Sequence, residues 1–474
     1  MPKPNDLDGW RCYLYNLIAA EISTTSRYYD HLIHFSPLAH DNGYLAGSIN
    51  CPEQSVVQGP DDLPTWVADP ERSTMLLLNG NLNYCSNIQE LLESLRPKLC
   101  RTSRLIAVTY NPYLSWLYRL ANRLGIRSAP LPDNFLTSTS LDSIARLSGY
   151  RVERVRLSGY LPARLFGLGT LVNRIMPAMP LAKWLSFACI LTLRPVIEER
   201  GNPSLSIVVP ARNERENIES LLQRIPHLEG ARVEVVFVEG HSNDGTWEEI
   251  QRLVPLFQDR FRLSALRQPG RGKNDAVRLG LAESTGDLVT ILDADLTMPP
   301  ECLDLYYRSY CSGLGDFVNG NRLVYRMETG AMKPLNRLGN IFFAKLLSFL
   351  LGVKLGDSLC GTKMFSRRNY RRMAEWCKDF GDFDPFGDFE LLFSASELAL
   401  GIIDIPIRYR ARNYGSTNIS RFRDGVRLLR MSYLGLVYLR LGKNPRTTQP
   451  HDLNSTTVSS RAASLPCDQG TRRP

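Results

Sequence analysis

Short apolar runs alternate with amphipathic stretches over the second half of the chain. "LSIVV" (205–209) is a compact β-branched run ended by Pro210, and "VEVVFV" (233–238) repeats the pattern. Between them Ile218, Leu221, Leu222 and Ile225 recur at helical spacing, after Glu214 and Glu216 place negative charge where a helix start favours it. "DGTWEEIQRLVPLF" reads as the next helix, with Asp244 or Thr246 near its cap, and a further helix from about Asn274 to Glu283 leads into "LVTILDAD". Strand, helix, strand, helix, strand predicts a mostly parallel α/β sheet covered on both faces. In such sheets ligands bind beyond the carboxyl ends of the strands. Three polar tips share that edge: Pro210–Glu214, Glu239–Asp244, and the pair Asp293 and Asp295 in "TILDADLTMPPE".

The first half alternates less regularly. "STMLLLNGNLNYC" (73–85) reads as a strand and loop, "NIQELLESLRPKL" (87–99) as an amphipathic helix, "SRLIAVTYN" (103–111) as a strand, and "SLDSIARLSGYRVERVRL" (140–157) as a helix turning at Ser148-Gly149 into a strand. The apolar stretch "LAKWLSFACILTLRPV" (181–196) reads as a segment that docks on the following unit, a bilayer being the other reading. Units of 1–198 and 204–443 are expected, joined at 199–203 within the charged, Gly-Asn-Pro-ended "RPVIEERGNP". The tail 444–474 is rich in Ser, Thr and Pro and is expected to be disordered, because burial there cannot offset the entropy of ordering.

Composition changes this picture only at a few points. Net charge is +9 over 474 residues, dispersed, which argues against a nucleic-acid partner and suits phosphates, nucleotide sugars or an acidic membrane face. The ten cysteines form no CxxC pair, so a structural zinc site is not expected. With the N-terminus opening polar, the thiols are expected to be reduced and cytoplasmic. His31, His34 and His40 cluster loosely and read as packing or solvent-facing histidines. The apolar run 341–353 is too short to span a bilayer and contains Lys345. Segments 334–356 and 421–443, where Arg421, Arg423, Arg427, Arg430 and Arg440 accompany Leu and Tyr, fit amphipathic helices at a lipid surface. A buried core helix, for the first, and a solvated basic face, for the second, are the alternatives.

A DxD pair by itself says little, since aspartates cap turns widely; its place at a strand end is what suggests convergence on a hard divalent cation. The stretch 204–443 resembles the family-2 glycosyltransferases, in the polyprenyl-phosphate (dolichol-phosphate mannosyltransferase-like) branch. The matching motifs run in order: "IVVPARNERENI" (207–218), "FVEGHSNDGT" (237–246), "GRGKNDAVRLGLAESTGD" (270–287), "ILDADLTMPPE" (291–301), "GNR" (320–322), "DSLCGTKMFSR" (357–367), "FGDFEL" (386–391) and "RYRARNYGSTNISRF" (408–422). The resemblance implies a GT-A nucleotide-diphospho-sugar transferase fold, Rossmann-like with a mostly parallel sheet. It implies that Pro210, Ala211, Asn213, Glu214 and Glu239 cradle the nucleoside, and that Lys273 lies near the donor. Asp293 and Asp295 would bind Mg²⁺ or Mn²⁺ and, through it, the diphosphate; Arg322 and, less directly, Arg337 would face an acceptor phosphate. Asp388 and Glu390 would lie by the sugar and acceptor, with Asp388 the first candidate base for a hydroxyl acceptor. Glu239-Gly240 stands where many relatives carry two acidic residues, which leaves the nucleotide preference open.

The first half resembles the latter part of a class I S-adenosylmethionine-dependent methyltransferase. It lacks the glycine-rich loop such a cofactor site needs within residues 1–70, so a smaller, degenerate α/β methyltransferase-like domain is expected. The sequence therefore predicts an inverting, metal-dependent glycosyltransferase, peripheral at the inner face of a membrane, moving a sugar from a GDP- or UDP-hexose to a polyprenyl phosphate. Transfer to a saccharide hydroxyl in surface polysaccharide synthesis, or an inactive nucleotide-sugar-binding scaffold, is the alternative.

Overall fold

The computed structural model describes residues 9–441, apart from 39–42, 126–129, 180–181, 183, 381–383, 385, 413 and 415–420. His40 and the tail 444–474 thus lie outside the described residues. Two sheets form. The first has six strands: β1 (His31–Phe35), β2 (Glu53–Val57), β3 (Thr74–Asn79), β4 (Arg104–Tyr110), β5 (Tyr150–Ser158) and β6 (Ala188–Pro195), in the order β2-β1-β3-β4-β6-β5. Its first four strands pair in parallel, whereas β6 runs antiparallel to both β4 and β5. The stretch 181–196, expected to dock on the next unit, therefore supplies a strand inside this sheet. His31 bonds Glu53 and Ser55, and His34 is buried, as packing histidines are.

The second sheet has seven strands: β7 (Leu205–Ala211), β8 (Val233–Glu239), β9 (Arg262–Arg267), β10 (Leu288–Ile291), β11 (Phe317–Asn321), β12 (Lys363–Ser366) and β13 (Ile402–Pro406), in the order β13-β11-β12-β10-β7-β8-β9. Strands β10, β7, β8 and β9 pair in parallel, as the alternation predicts. Strand β12 is the exception, antiparallel to both β10 and β11. Strand periodicity explains the two cores. Leu205, Ile207 and Val209 of β7 pack with Ile218, Leu221 and Ile250 on one face, while Val208 joins Val277, Leu281 and Phe365 on the other.

The two lipid-surface candidates resolve into two-sided helices. In Pro334–Leu351 the residues Phe343, Leu347, Leu350 and Leu351 are buried, while Leu335, Leu338 and Phe342 are exposed. In Arg421–Gly435, Leu428 and Met431 are buried and Val426, Leu429 and Tyr433 exposed. The core reading of the first segment describes its buried face. No helix among the described residues is long and apolar enough to cross a membrane.

A buried ionic cluster fixes the first sheet to the second. Asp316, just before β11, meets Arg104 at 2.6 Å, Arg101 at 3.0 Å and Arg194 at 3.5 Å, all from the first unit. The arginines also cap main-chain carbonyls: Arg104 donates to Ala399, Arg101 to Tyr310 and Gly315, and Arg194 to Gly313 and Leu314. Burial disfavours the Asp316 charge, but Arg194, Arg104 and Arg101 outweigh it and hold the carboxyl well below its usual range. Removing one partner of a buried pair strands the others. Asp316→Asn is therefore expected to lower the unfolding free energy by about 3 kcal/mol or more in denaturant titration; an unchanged midpoint would show that these charges do not secure the interface.

Candidate active site

Three adjacent strands deliver the polar tips. After β7 the chain turns through Asn213, after β8 through His241, and after β10 through Leu296; each has φ near +57 or +58°, an uncommon left-handed conformation for a non-glycine residue. That three such turns share one sheet edge marks it as a place where the chain is held for more than packing. The first two loops are stitched together. Asn213 N–H donates to Ser242 Oγ at 2.9 Å, Asn243 N–H to Asn213 Oδ1 at 3.0 Å, and Glu214 N–H to Thr246 Oγ1 at 3.0 Å. Glu239 accepts from the Ser242 N–H, and Gly240 N–H donates to Ala211 O at 2.9 Å. A side chain at 240 would begin 3.2 Å from Gln268 and 3.3 Å from Arg212, so the tight approach of these loops favours glycine there.

The acidic residues of this edge are matched by cations. Lys273, first residue of the helix Lys273–Glu283, reaches Asp293 Oδ1 at 2.5 Å. Arg412 bridges Glu214, at 3.1 Å, and Asp295 Oδ2. The other oxygen of Asp295 caps its own turn, accepting from Thr297 N–H at 3.1 Å and Thr297 Oγ1 at 2.7 Å. Lys363, fully buried on β12, bonds Asp388 and the Cys360 carbonyl. The antiparallel insertion of β12 beside β10 pairs Lys363 with Ile291, just before the aspartates. Gly361 closes the cradle: a Cβ there would lie 2.4 Å from both Asp293 Oδ2 and Lys273 Nζ.

Electrostatics follow from this mixture. Burial would raise the Asp293 carboxyl, but Lys273 beside it brings it below its ordinary value. Burial would lower the Lys273 ammonium, yet Asp293 and Asp388 raise it. Glu214 is pushed up to about 7 by burial, with Asp295 and Asp293 adding to the rise; the Asn217 amide and Arg412 only partly counter it.

The remaining sequence candidates are spread around this centre. Arg322, following β11, is held bidentate by Asp357, at 2.7 and 2.9 Å, with Tyr409 across its face. Asp388 and Glu390 start the helix Asp388–Glu397 but serve different neighbours: Asp388 takes Lys363, and Glu390 takes Arg278 at 2.5 Å beside a cleft of about 480 Å³ lined by Tyr370, Met373 and Cys377. Arg337 is exposed near the start of Pro334–Leu351 and makes none of these ion pairs. Pro210 and Ala211 end β7 beside the stitched loops. Arg412 and Lys363 were not singled out from sequence; each stands inside a quoted motif, "RYRARNYGSTNISRF" and "DSLCGTKMFSR", which is the signal that could have found them.

The donor set suits a hard cation: two carboxylates one residue apart at a strand end, with Asp293 Oδ2 lying against a glycine. Among the described residues no three His, Cys, Asp or Glu side chains converge as a complete metal site. Asp293 and Asp295 would hold Mg²⁺ or Mn²⁺ only together with ligands from a substrate.

Acidic tips at the carboxyl edge of a mostly parallel sheet, compensated by lysine and arginine, form a polar, charge-balanced edge of the kind where α/β domains bind ligands. Residues 206–373 match the model of glycosyl transferase family 2. The chain is 32% identical over 226 residues to a dolichyl-phosphate hexose transferase of Haloferax volcanii, covering 47% of this chain and 89% of that protein. It is 35% identical over 122 residues to a dolichol-phosphate mannosyltransferase of Pyrococcus furiosus, over 25% of this chain and 33% of that one. Among solved structures, a mannosyltransferase from Pyrobaculum calidifontis in complex with GDP-Man and Mn²⁺ aligns with TM-score 0.37 and 20% identity, over 53% of this chain and 68% of that one. The chain belongs to glycosyl transferase family 2, and it is a glycosyltransferase.

Two variants probe the charge balance. The folded Glu214 carboxyl titrates above its unfolded value of about 4.3, so its burial costs stability in full above about pH 7 and progressively less as pH falls toward 4.3. Glu214→Gln is expected to be more stable than the natural chain at about pH 8, by roughly 1–2 kcal/mol in denaturant titration, and to lose that advantage near about pH 4.5. Gly361→Ala forces apart the Lys273–Asp293 pair; donor binding, measured by calorimetry with Mn²⁺ present, should weaken by about tenfold or more while secondary structure is kept.

Proposed function

We propose that this protein is an inverting, metal-dependent hexosyltransferase that moves a sugar from a GDP- or UDP-hexose to a polyprenyl phosphate at a membrane surface. The observation that carries the reading is the paired cluster of Asp293, Asp295, Lys273 and Arg412 at the strand ends of a family-2 domain. The stitched loops bearing Pro210, Ala211, Asn213, Glu214 and Glu239 would receive the nucleoside. A bound divalent cation supplies positive charge for the diphosphate that leaves. Lys273 and Arg412 already stand beside its ligands and would share the same developing charge.

The acceptor oxygen attacks the anomeric carbon in line, the bond to the diphosphate breaks, and the configuration inverts. A phosphate monoester is anionic near pH 7, its second pKa being about 6, so such an acceptor needs no general base. Asp388, the candidate base for a hydroxyl acceptor, is held through Oδ1 by the Lys363 ammonium. The curated relatives in Haloferax volcanii and Pyrococcus furiosus carry dolichyl- or dolichol-phosphate in their names, which supports the lipid acceptor over a saccharide hydroxyl. Arg322 remains the candidate to face the acceptor phosphate, and would do so with Asp357 still attached.

The N-terminal unit is read as a methyltransferase-like domain without that activity. What supports this is a sheet flanked on both faces by apolar cores, with Ser36-Pro37-Leu38 where a glycine-rich turn would follow β1. Calorimetry with S-adenosylmethionine should show no heat of binding; a micromolar isotherm would reverse the assignment.

Asp295→Asn should reduce turnover by at least about a hundredfold while leaving the fold intact, because it weakens the hold on the cation and on Arg412 together. EDTA should silence the natural enzyme and Mn²⁺ or Mg²⁺ restore it. With membranes and labelled nucleotide sugars, label is expected in a lipid that mild acid releases; label confined to polymer would reject the lipid acceptor.

A further inference from the structure

The N-terminal unit presents an exposed apolar surface that the transfer reaction does not use. On the helix Ser115–Arg123 and its ends, Trp116, Leu120 and Leu124 are exposed. In the segment 165–185, Phe166 stands fully out, and Leu168, Leu171 and Leu185 are more than half exposed. Leu165 and Phe166 both adopt left-handed backbone, φ 41 and 51°, in a turn closed by the Gly167 and Gly169 N–H groups on the Arg164 carbonyl. Two bulky apolar residues are thus held outward by a turn that sterics disfavour.

These pieces join one another and the catalytic unit. Tyr113 packs edge-on against Trp184 with ring centroids 6.4 Å apart, linking the first segment to the second. Arg174 Nε donates to the Leu441 carbonyl at 3.0 Å, tying the helix Leu168–Ile175 to the end of the segment that begins at Arg421. That segment packs on Pro334–Leu351, and both catalytic-unit helices keep an exposed apolar row.

Its charge is one-sided. No Asp or Glu occurs in 94–132, in 154–197 or in 329–356, and between Asp404 and Asp452 the one acid is Asp424, which is buried and bonded to Arg427. Exposed Arg119, Arg123, Arg164 and Arg174 stand among the apolar residues of the N-terminal unit, as Lys333 and Arg337 do at the start of Pro334–Leu351. Acid-free, arginine-bearing and rich in Trp, Tyr and Leu, such a surface is complementary to anionic headgroups above an acyl layer.

We propose that the N-terminal unit is a membrane-docking module, whose segments 113–124 and 165–179, with Trp184 and Leu185, extend the exposed faces of Pro334–Leu351 and Arg421–Gly435 into one surface for an anionic phospholipid bilayer. The inference deepens the lipid-acceptor reading, but its deciding readout is vesicle binding and not turnover. The full chain is sedimented with phosphatidylcholine vesicles with and without phosphatidylglycerol. Binding is expected to the anionic vesicles, weakened by salt, with a blue shift in tryptophan fluorescence. The variant Trp116→Glu with Phe166→Glu should keep its melting temperature and its activity on detergent-dispersed polyprenyl phosphate, yet bind anionic vesicles at least about tenfold more weakly. A variant in the catalytic unit alone, Leu338→Glu, should weaken binding without abolishing it.

The proposal falls if the natural chain ignores anionic vesicles, or if the Trp116/Phe166 variant binds them as the natural chain does. It falls too if light scattering shows a dimer that this variant turns into a monomer, since the surface would then cover a second copy. Vesicle binding that persists while no lipid is ever labelled would overturn the acceptor reading and leave the docking module standing.

Discussion

Carboxylates gathered at one sheet edge repel one another, and the whole active edge depends on how that repulsion is balanced. Glu214, Asp293, Asp295 and Asp388 come from two strand-end loops and a helix start, and each is answered by Arg412, Lys273 or Lys363. The arrangement constrains the fold well beyond the site. Lys363 can reach Asp388 because β12 is inserted antiparallel beside β10, breaking an otherwise parallel run. Arg412 can bridge Glu214 and Asp295 because the chain after β13 returns past the β10 loop, where Arg410 N–H bonds the Thr297 carbonyl at 2.9 Å. Burial raises Glu214, whereas at Asp293 the neighbouring Lys273 outweighs burial and lowers the carboxyl. An anionic donor carrying its own cation would enter a site where opposite charges are already fixed, so little reorganisation accompanies binding.

The same logic recurs at the seam between the two sheets, with the signs reversed. There Asp316 meets three arginines, with Glu153 also on Arg194 and Glu199 on Arg101, and the guanidinium donors reach five main-chain carbonyls of the catalytic unit. A second buried group, Arg154 and Arg156 with Glu397 and Glu21, spans the seam farther along. Buried ion pairs add little net stability, because desolvation consumes most of the attraction, but they tolerate few alternative geometries. Their effect here is positional: the first unit is held in one orientation on the catalytic unit.

Much of the catalytic unit was legible because parallel strands buried on both faces leave continuous apolar runs, as in "LSIVV" and "VEVVFV", and the tips that follow them are polar. Strand β9, "RLSALR", escaped notice because it is the half-exposed edge of the sheet and carries arginines at both ends. Strand β1 hid behind its histidines, and β6 looked like a docking segment because an antiparallel strand buried on both faces shows no alternation. The site divides the same way. Asp293 and Asp295 announce themselves by adjacency, whereas Arg412 meets Asp295 across 117 positions and no local period encodes that. Asp388 and Glu390 read as a pair in "FGDFEL", yet one faces Lys363 and the other Arg278, because neighbours two apart at a helix start point in different directions.

The two amphipathic helices show why composition alone could not choose between core and membrane. Each has an apolar stripe too wide for one role: Phe343 and Leu347 pack inward while Leu338 and Phe342 point out, and Leu428 and Met431 are buried while Val426 and Leu429 are not. A helix that only closes a core would be polar on its outer side. One that only rests on lipid would not be keyed into the sheet. If the bilayer is met as proposed, these helices would couple the depth of the catalytic unit in an interface to the position of its own sheet. In that arrangement the ion pairs of the seam would set the height of the first unit's exposed residues relative to the strand ends, so a surface on one unit would orient a site on the other.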